Sequence, residues 1–195
     1  MNESNIIAQL YEDHKALVTF LDEHEEPSLR SQTEANFAKF LLLAVASYFE
    51  RQLTASLLLL AEAETKKDHP LYFFIKNKAI KRQYHTFFTW ENYKKGANSF
   101  FGLFGEPFRR QLQLDEVLEG ETTLQMAIEA FLELGHLRNQ LTHEDIIQFA
   151  LNKTSQEIYT LYLKGNLFII AFPQLLQAYI ELLPDDRDFI NGETP

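Results

Sequence analysis

The chain has no cysteine, one tryptophan, and only 7 glycines and 6 prolines in 195 residues. Without cysteine there is no disulfide framework, no thiol nucleophile and no thiolate metal site. Few glycines and prolines mean few turns, so the elements should be long. Long apolar runs are missing too. "FLLLAVASYF" and "LFIIAFPQLLQAYIELL" are too short or too interrupted for a bilayer, which takes about 20 apolar residues. The opening "MNESNIIAQLYEDHK" is acidic and broken by polar residues, unlike the basic start and apolar run of a signal peptide. No membrane span and a cytoplasmic location are therefore expected. Gly-rich phosphate loops, Walker patterns and Ser/His/Asp arrangements are absent, and His14, His24, His69, His85 and His136 show no ligand spacing. Neither a metal nor another cofactor is expected.

Aromatic residues are plentiful, with 17 Phe and 8 Tyr. Such loading suits a thick core or a buried subunit interface. More apolar surface than one bundle can bury points to a two-fold dimer. Charge is uneven: the net value is −10, yet residues 66–110 hold 10 basic side chains against 3 acidic ones. A local basic region on an acidic body can form an anion-binding surface.

Apolar periodicity places the helices. Ile6, Ile7, Leu10, Leu17 and Leu21 predict a helix over 4–25, capped by Ser4 and ended before Pro27. A central helix is predicted from about Gln32 to Thr65, on Phe37, Phe40, Leu41, Ala44, Tyr48, Leu57 and Leu58. The basic stretch after it mixes aromatic runs with Gly96, Gly102, Gly105 and Pro107, so short helices and loops are expected there. The Gly102–Gly105 stretch reads as a tight aromatic turn. Leu124, Ala127, Phe131, Leu134 and Leu137 mark another helix over about 122–141. A capping-box signature, Thr154 to Glu157, opens the last one, which runs to about Leu183. Pro173 inside it should kink or split it. A polar tail follows from about 184. The expected architecture is one all-α domain over 1–195, a helical bundle of three to four long helices plus short ones.

Two groups of residues stand out. The first is Arg138-Asn139 followed by His143, at the end of a helical run, "GHLRNQLTHE". On a straight helix Asn139 and His143 fall nearly in line, whereas Arg138 lies about 140° from His143. The three converge only if the helix ends or distorts here, which Gly135 and Thr142 permit, or if a second copy faces the first. Taken alone, the cluster also fits a basic helix C-terminus favoured by the macrodipole. The second group is Lys76, Lys78, Lys81, Arg82, Lys94 and Lys95, interleaved with Tyr84, His85, Phe87, Phe88 and Trp90. Cations of this kind meet phosphates and aromatics stack on bases, or else the aromatics face the core.

An apolar helix ending in "LRNQLTHED" resembles the defining motif of the HEPN superfamily, in which an Arg, a polar residue, a short spacer and a His recur. Arg138, Asn139 and His143 match it residue by residue. "AVASYFERQLTASLL" is similar to the small-residue and Glu pattern of the RiboL-PSP-HEPN branch, and "NSFFGLFGEPF" resembles its Asn-aromatic-Gly segment. The likeness spans about residues 35–180. In one departure, Glu144 and Asp145 follow His143 where a small residue is usual.

The resemblance implies a HEPN-like helical domain and, in many members, a metal-independent endoribonuclease acting as a toxin or phage-defence effector. Attack by the RNA 2′-hydroxyl needs a base, an acid and a cation. His143 supplies an imidazole titrating near neutrality, Arg138 a permanent charge with paired donors, and Asn139 a group to orient the imidazole or hold phosphate. Because one imidazole cannot be acid and base at once, the family pairs two motifs in a dimeric cleft. Lys78, Lys81, Arg82, Lys94 and Lys95 are the expected RNA contacts, and Glu50 an orienting acid in the cleft. The partners implied are RNA, a second copy and an antitoxin or other operon-encoded protein. Glu144 and Asp145, which repel phosphate, fit the alternative: a non-catalytic HEPN dimerisation module binding nucleotide, RNA or a partner protein.

Overall fold

A computed structural model describes residues 3–114, 123–144 and 149–183, and among them there are helices and turns but no strand. The architecture is all-α. In chain order the elements are α1 (Glu3–Glu23), α2 (Pro27–Thr65) and α3 (Pro70–Phe74), then a π-helical stretch (Ile75–Ile80) and a 3-10 turn (Tyr84–Thr86). These are followed by α4 (Asn98–Gly102), α5 (Glu106–Leu114), α6 (Thr123–His143) and α7 (Ser155–Leu182).

The long helices follow the apolar spacing, with differences at their ends. α1 is described from Glu3, and the side chain of Ser4, the expected cap, lies outside what is described. α2 starts at Pro27 rather than near Gln32, because proline at a first helical position loses no hydrogen bond. The proline opens α2 as well as following α1, and α2 reaches 39 residues. At α7 the capping box is complete: the Thr154 side chain accepts from the Glu157 N–H, and the Glu157 carboxylate accepts from the Thr154 N–H. Pro173 does not split α7, which continues to Leu182. The basic segment consists of short elements, as its glycines suggest, and Gly105 adopts a left-handed φ of 100° in the aromatic turn.

Phenylalanine builds the core. Phe131 of α6 meets Phe49 of α2 at 5.5 Å and Phe168 of α7 at 5.0 Å between ring centroids. Phe88 approaches Phe131 to 5.0 Å and Phe100 to 4.7 Å, and Phe100 meets Phe172 at 4.8 Å. The irregular segment is thus nailed to α6 and α7 by its own aromatics. Gly165 lets α7 close on α6, since a methyl group there would lie 3.2 Å from the Phe131 backbone.

At the other end α1, α2 and the start of α7 meet around Glu34. Its carboxylate is hydrogen-bonded to His14 at 2.7 Å and accepts the Ser155 N–H at 2.8 Å. His14 is buried and stacks on Phe37 at 3.7 Å. The Tyr11 hydroxyl donates to Gln156 while its ring stacks on Tyr159 at 4.0 Å. Desolvation alone would raise the Glu34 pKa. The bonds from His14 and Ser155 outweigh it and hold the carboxyl below its ordinary range.

Candidate active site

α6 stays helical through Gly135 and Thr142 to His143, its last residue. Arg138 and His143 therefore do not converge within one chain. The Thr142 hydroxyl bonds back to the carbonyls of Arg138, at 3.0 Å, and Asn139, at 3.1 Å, which keeps the final turn closed. His143 and Glu144 are exposed at the end of the helix, and Asp145 lies outside the described residues.

Arg138 and Asn139 line a narrow crevice of about 10 Å³ with Ala46 and Phe49 of α2 and with Tyr84, His85 and Trp90. The guanidinium donates to the Asn139 side-chain amide oxygen, Oδ1, at 3.1 Å. Its partner is thus a neutral amide, which leaves the positive charge uncompensated in this contact. The Tyr84 hydroxyl is desolvated, so its pKa is raised; the Glu50 carboxylate raises it further, and Arg138 opposes. Tyr84 consequently remains a neutral donor. Glu50, half-buried on α2, lines a shallow surface pocket with Ser47, Arg51 and Thr54 rather than the crevice itself. The early-helix Glu and the late-helix Arg, 88 positions apart in sequence, act on one phenol.

Gly135 has a different role from the distortion it could have allowed. A methyl group at this position would fall 2.1 Å from the Trp90 ring. The missing side chain lets the buried indole lie against α6 one turn before Arg138. Trp90 also donates to the His85 carbonyl at 3.0 Å, so the 84–90 segment is tied to the helix that bears the Arg-Asn pair.

The basic residues fall in two places. Lys78, Lys81 and Arg82 are exposed along the π-helical stretch and the turn after it, where Lys78 borders an apolar cavity of about 510 Å³ against Leu57, Leu60 and Ile80. Lys94 and Lys95 are exposed in the next turn, whose Lys94 carbonyl accepts from Gln125 near the start of α6 at 3.3 Å. Lys76 is half-buried, with its ammonium 5.7 Å from the Tyr72 ring centroid. Base stacking by the interleaved aromatics needs correction. Phe87, Phe88 and Trp90 are buried in the core, because their large apolar area is worth more there than at the surface. His85 is exposed, and Tyr84 is half-buried.

Among the described residues no three His, Asp or Glu side chains gather as a metal would require, and no helix is long and apolar enough to cross a membrane.

Comparison with known families gives a match to the RiboL-PSP-HEPN model over residues 8–178. The chain belongs to the RiboL-PSP-HEPN family. No curated protein and no solved structure matches it. The match begins in α1 and ends in α7, so the RiboL-PSP-HEPN region takes in the long helices, the irregular segment and the crevice. Tyr84, His85 and Trp90 are the crevice residues whose place sequence reading missed. The one available signal was Gly135, a glycine inside a long helix three residues before Arg138.

Proposed function

We propose that this RiboL-PSP-HEPN protein is a metal-independent endoribonuclease, an effector of a toxin–antitoxin or phage-defence system acting in the cytoplasm. The observation that carries this reading is Arg138, paired with the neutral Asn139 at a crevice where Tyr84 stays a hydrogen-bond donor. A guanidinium so placed suits a phosphate, whose transition state gains negative charge. The 2′-oxygen attacks phosphorus, an imidazole removes its proton, and the P–O5′ bond breaks as the leaving oxygen is protonated. The products are a 2′,3′-cyclic phosphate and a 5′-hydroxyl. Asn139 orients the guanidinium, and Glu50 influences the site through Tyr84. Lys78, Lys81, Arg82, Lys94 and Lys95 steer the RNA backbone.

On a regular α6, Arg138 and His143 face directions about 140° apart, so two facing copies complete the cleft. Exposed Phe20, Phe40, Leu59, Phe74, Leu163, Leu167 and Ile170 supply apolar surface that such an assembly could cover.

The test is cleavage of mixed-sequence RNA in EDTA, with end analysis and with light scattering at micromolar concentration. Arg138→Ala and His143→Ala should each lose roughly 10²-fold in rate with unchanged helical circular dichroism. Wild-type protein that leaves every RNA intact would defeat the reading, and a monomer in solution would remove the shared cleft. The narrow crevice and the exposed Glu144 beside His143 favour a second reading, a non-catalytic dimerisation module that binds nucleotide, RNA or an operon-encoded partner such as an antitoxin.

A further inference from the structure

The short turn Tyr84–Thr86 has two sides. Tyr84 and His85 line the narrow crevice, whereas Thr86, with Gln83 and Phe87 beside it, lines the apolar cavity of about 510 Å³. That volume falls within the span of small-molecule sites, about 300–1,000 Å³. Its floor is built from segments far apart in the chain: Leu57 and Ala61 of α2, Ile80 of the π-helical stretch, Phe87, and Phe100 of α4, all buried.

Two irregularities shape one wall. Ile75–Ile80 is π-helical, and the Lys81 N–H closes it on the Lys76 carbonyl at 2.8 Å. Arg82 follows with a φ of 63°, a left-handed conformation unfavourable for a residue with a Cβ. Both kinds of irregularity gather at ligand sites. Here they set Ile80 and Gln83 on the cavity wall and turn Lys81 and Arg82 outward between them.

The polar groups at the mouth select a charge. Lys78 lines the cavity and is exposed, with Lys81 and Arg82 nearby on the same segment. The Thr86 hydroxyl approaches Gln83 Oε1 at 3.5 Å, which leaves the Nε2 donor of that amide for a ligand. Glu64, on α2, is the one acidic side chain in the lining among the described residues. Cations and donors outnumber it.

We propose that this cavity binds a single hydrocarbon chain with an anionic head, a carboxylate or a phosphate monoester. The chain lies on Leu57, Ala61, Phe87 and Phe100, where each buried methylene adds affinity. The head meets the Lys78 ammonium and the Gln83 amide at the mouth. Because Thr86 and Phe87 adjoin Tyr84, whose ring lies 5.5 Å from that of Trp90, occupancy is felt at the indole. The site stands independently of the nuclease reading.

Octanoate, octyl phosphate, octanol and octyltrimethylammonium, each below its micelle concentration, supply the test. Binding is read by calorimetry and by the fluorescence of Trp90, the single tryptophan of the chain. At least one anion should bind about two- to five-fold more tightly than octanol, the scale of an exposed ion pair, and the ammonium more weakly than octanol. The tighter of the two anions tells a carboxylate source from a phosphate one. Lys78→Gln should lower the anions to the affinity of the alcohol and leave octanol unchanged. Ala79→Phe, at an exposed lining position, takes the room of several methylenes and should weaken every binder about tenfold or more. Leu103→Glu, also exposed in the lining, replaces it should the helical circular dichroism be lost. Absence of binding by all four compounds would overturn the proposal and leave the cavity to an apolar side chain of a protein partner. An ammonium as tight as the anions, or unchanged binding in Ala79→Phe, would overturn it too. Heat of binding with a silent Trp90 would remove the link to the turn.

Discussion

Two regions of the molecule use similar residues to opposite ends. At the α1–α2–α7 junction, His14, Glu34 and Tyr11 all have partners from another helix, and Glu34 also receives the first N–H of α7. At the crevice, Arg138 meets a neutral amide and Tyr84 is kept protonated, while His85 on the 3-10 turn and His143 at the end of α6 are exposed. Saturated hydrogen bonds fasten helices; polar groups left partly unsatisfied are available to a ligand. Residue type alone would not tell the two apart. The partners do.

Three substitutions sharpen this contrast. The largest effect is expected from Gly135→Ala, which drives a methyl group into the Trp90 ring at 2.1 Å. The overpacking should cost about 1–3 kcal/mol and displace the segment holding Tyr84 and His85, so denaturant midpoint and cleavage rate should fall together. An unchanged midpoint would mean that the indole is not confined by α6.

Glu34→Ala comes next. It leaves the buried His14 and the Ser155 N–H without their acceptor, a loss of about 1–2 kcal/mol on the usual scale of such bonds. Cleavage should stay near wild type at temperatures where the variant is folded. The Glu34 pKa lies lower in the folded state than in the unfolded chain, so its ionisation adds stability in full above the ordinary value, about 4.5. That contribution fades as pH falls from there through the folded pKa. Glu34→Gln should flatten this part of the melting-temperature profile in thermal scans. A large fall in cleavage with stability intact would erase the distinction between the two regions.

The smallest effect concerns the basic segment. Neutralising Lys81 with Arg82 should weaken RNA binding modestly and make its dependence on salt shallower, as read by anisotropy titrations at several ionic strengths. Because both side chains are exposed, stability should move little. An identical salt slope would assign these cations to the solvated surface alone.

Much of this fold was legible because long helices write their period into the chain. Leu134 and Leu137 recur on the α6 face and are buried, and the Thr154–Glu157 spacing marks the start of α7. Pro27 was harder to read, since a proline after one helix is also a good first residue for the next. The Arg-Asn…His spacing could be seen for the same reason as the helices: it is local. Its surroundings could not, because Tyr84 and His85 reach Arg138 from more than fifty residues away. Nothing near Trp90 indicates that its ring would lie on Gly135.

The sequence by itself determined the all-α class, the long helices, the clustering of basic side chains and the residues of the motif. All of these follow from local propensity, periodicity and charge. Only the tertiary structure decided that Phe87, Phe88 and Trp90 turn inward and that Glu34 fastens three helices. It also decided that Arg138 shares a crevice with Tyr84 and His85. Those outcomes depend on which surfaces leave water together, and that is settled by packing between segments far apart in the chain.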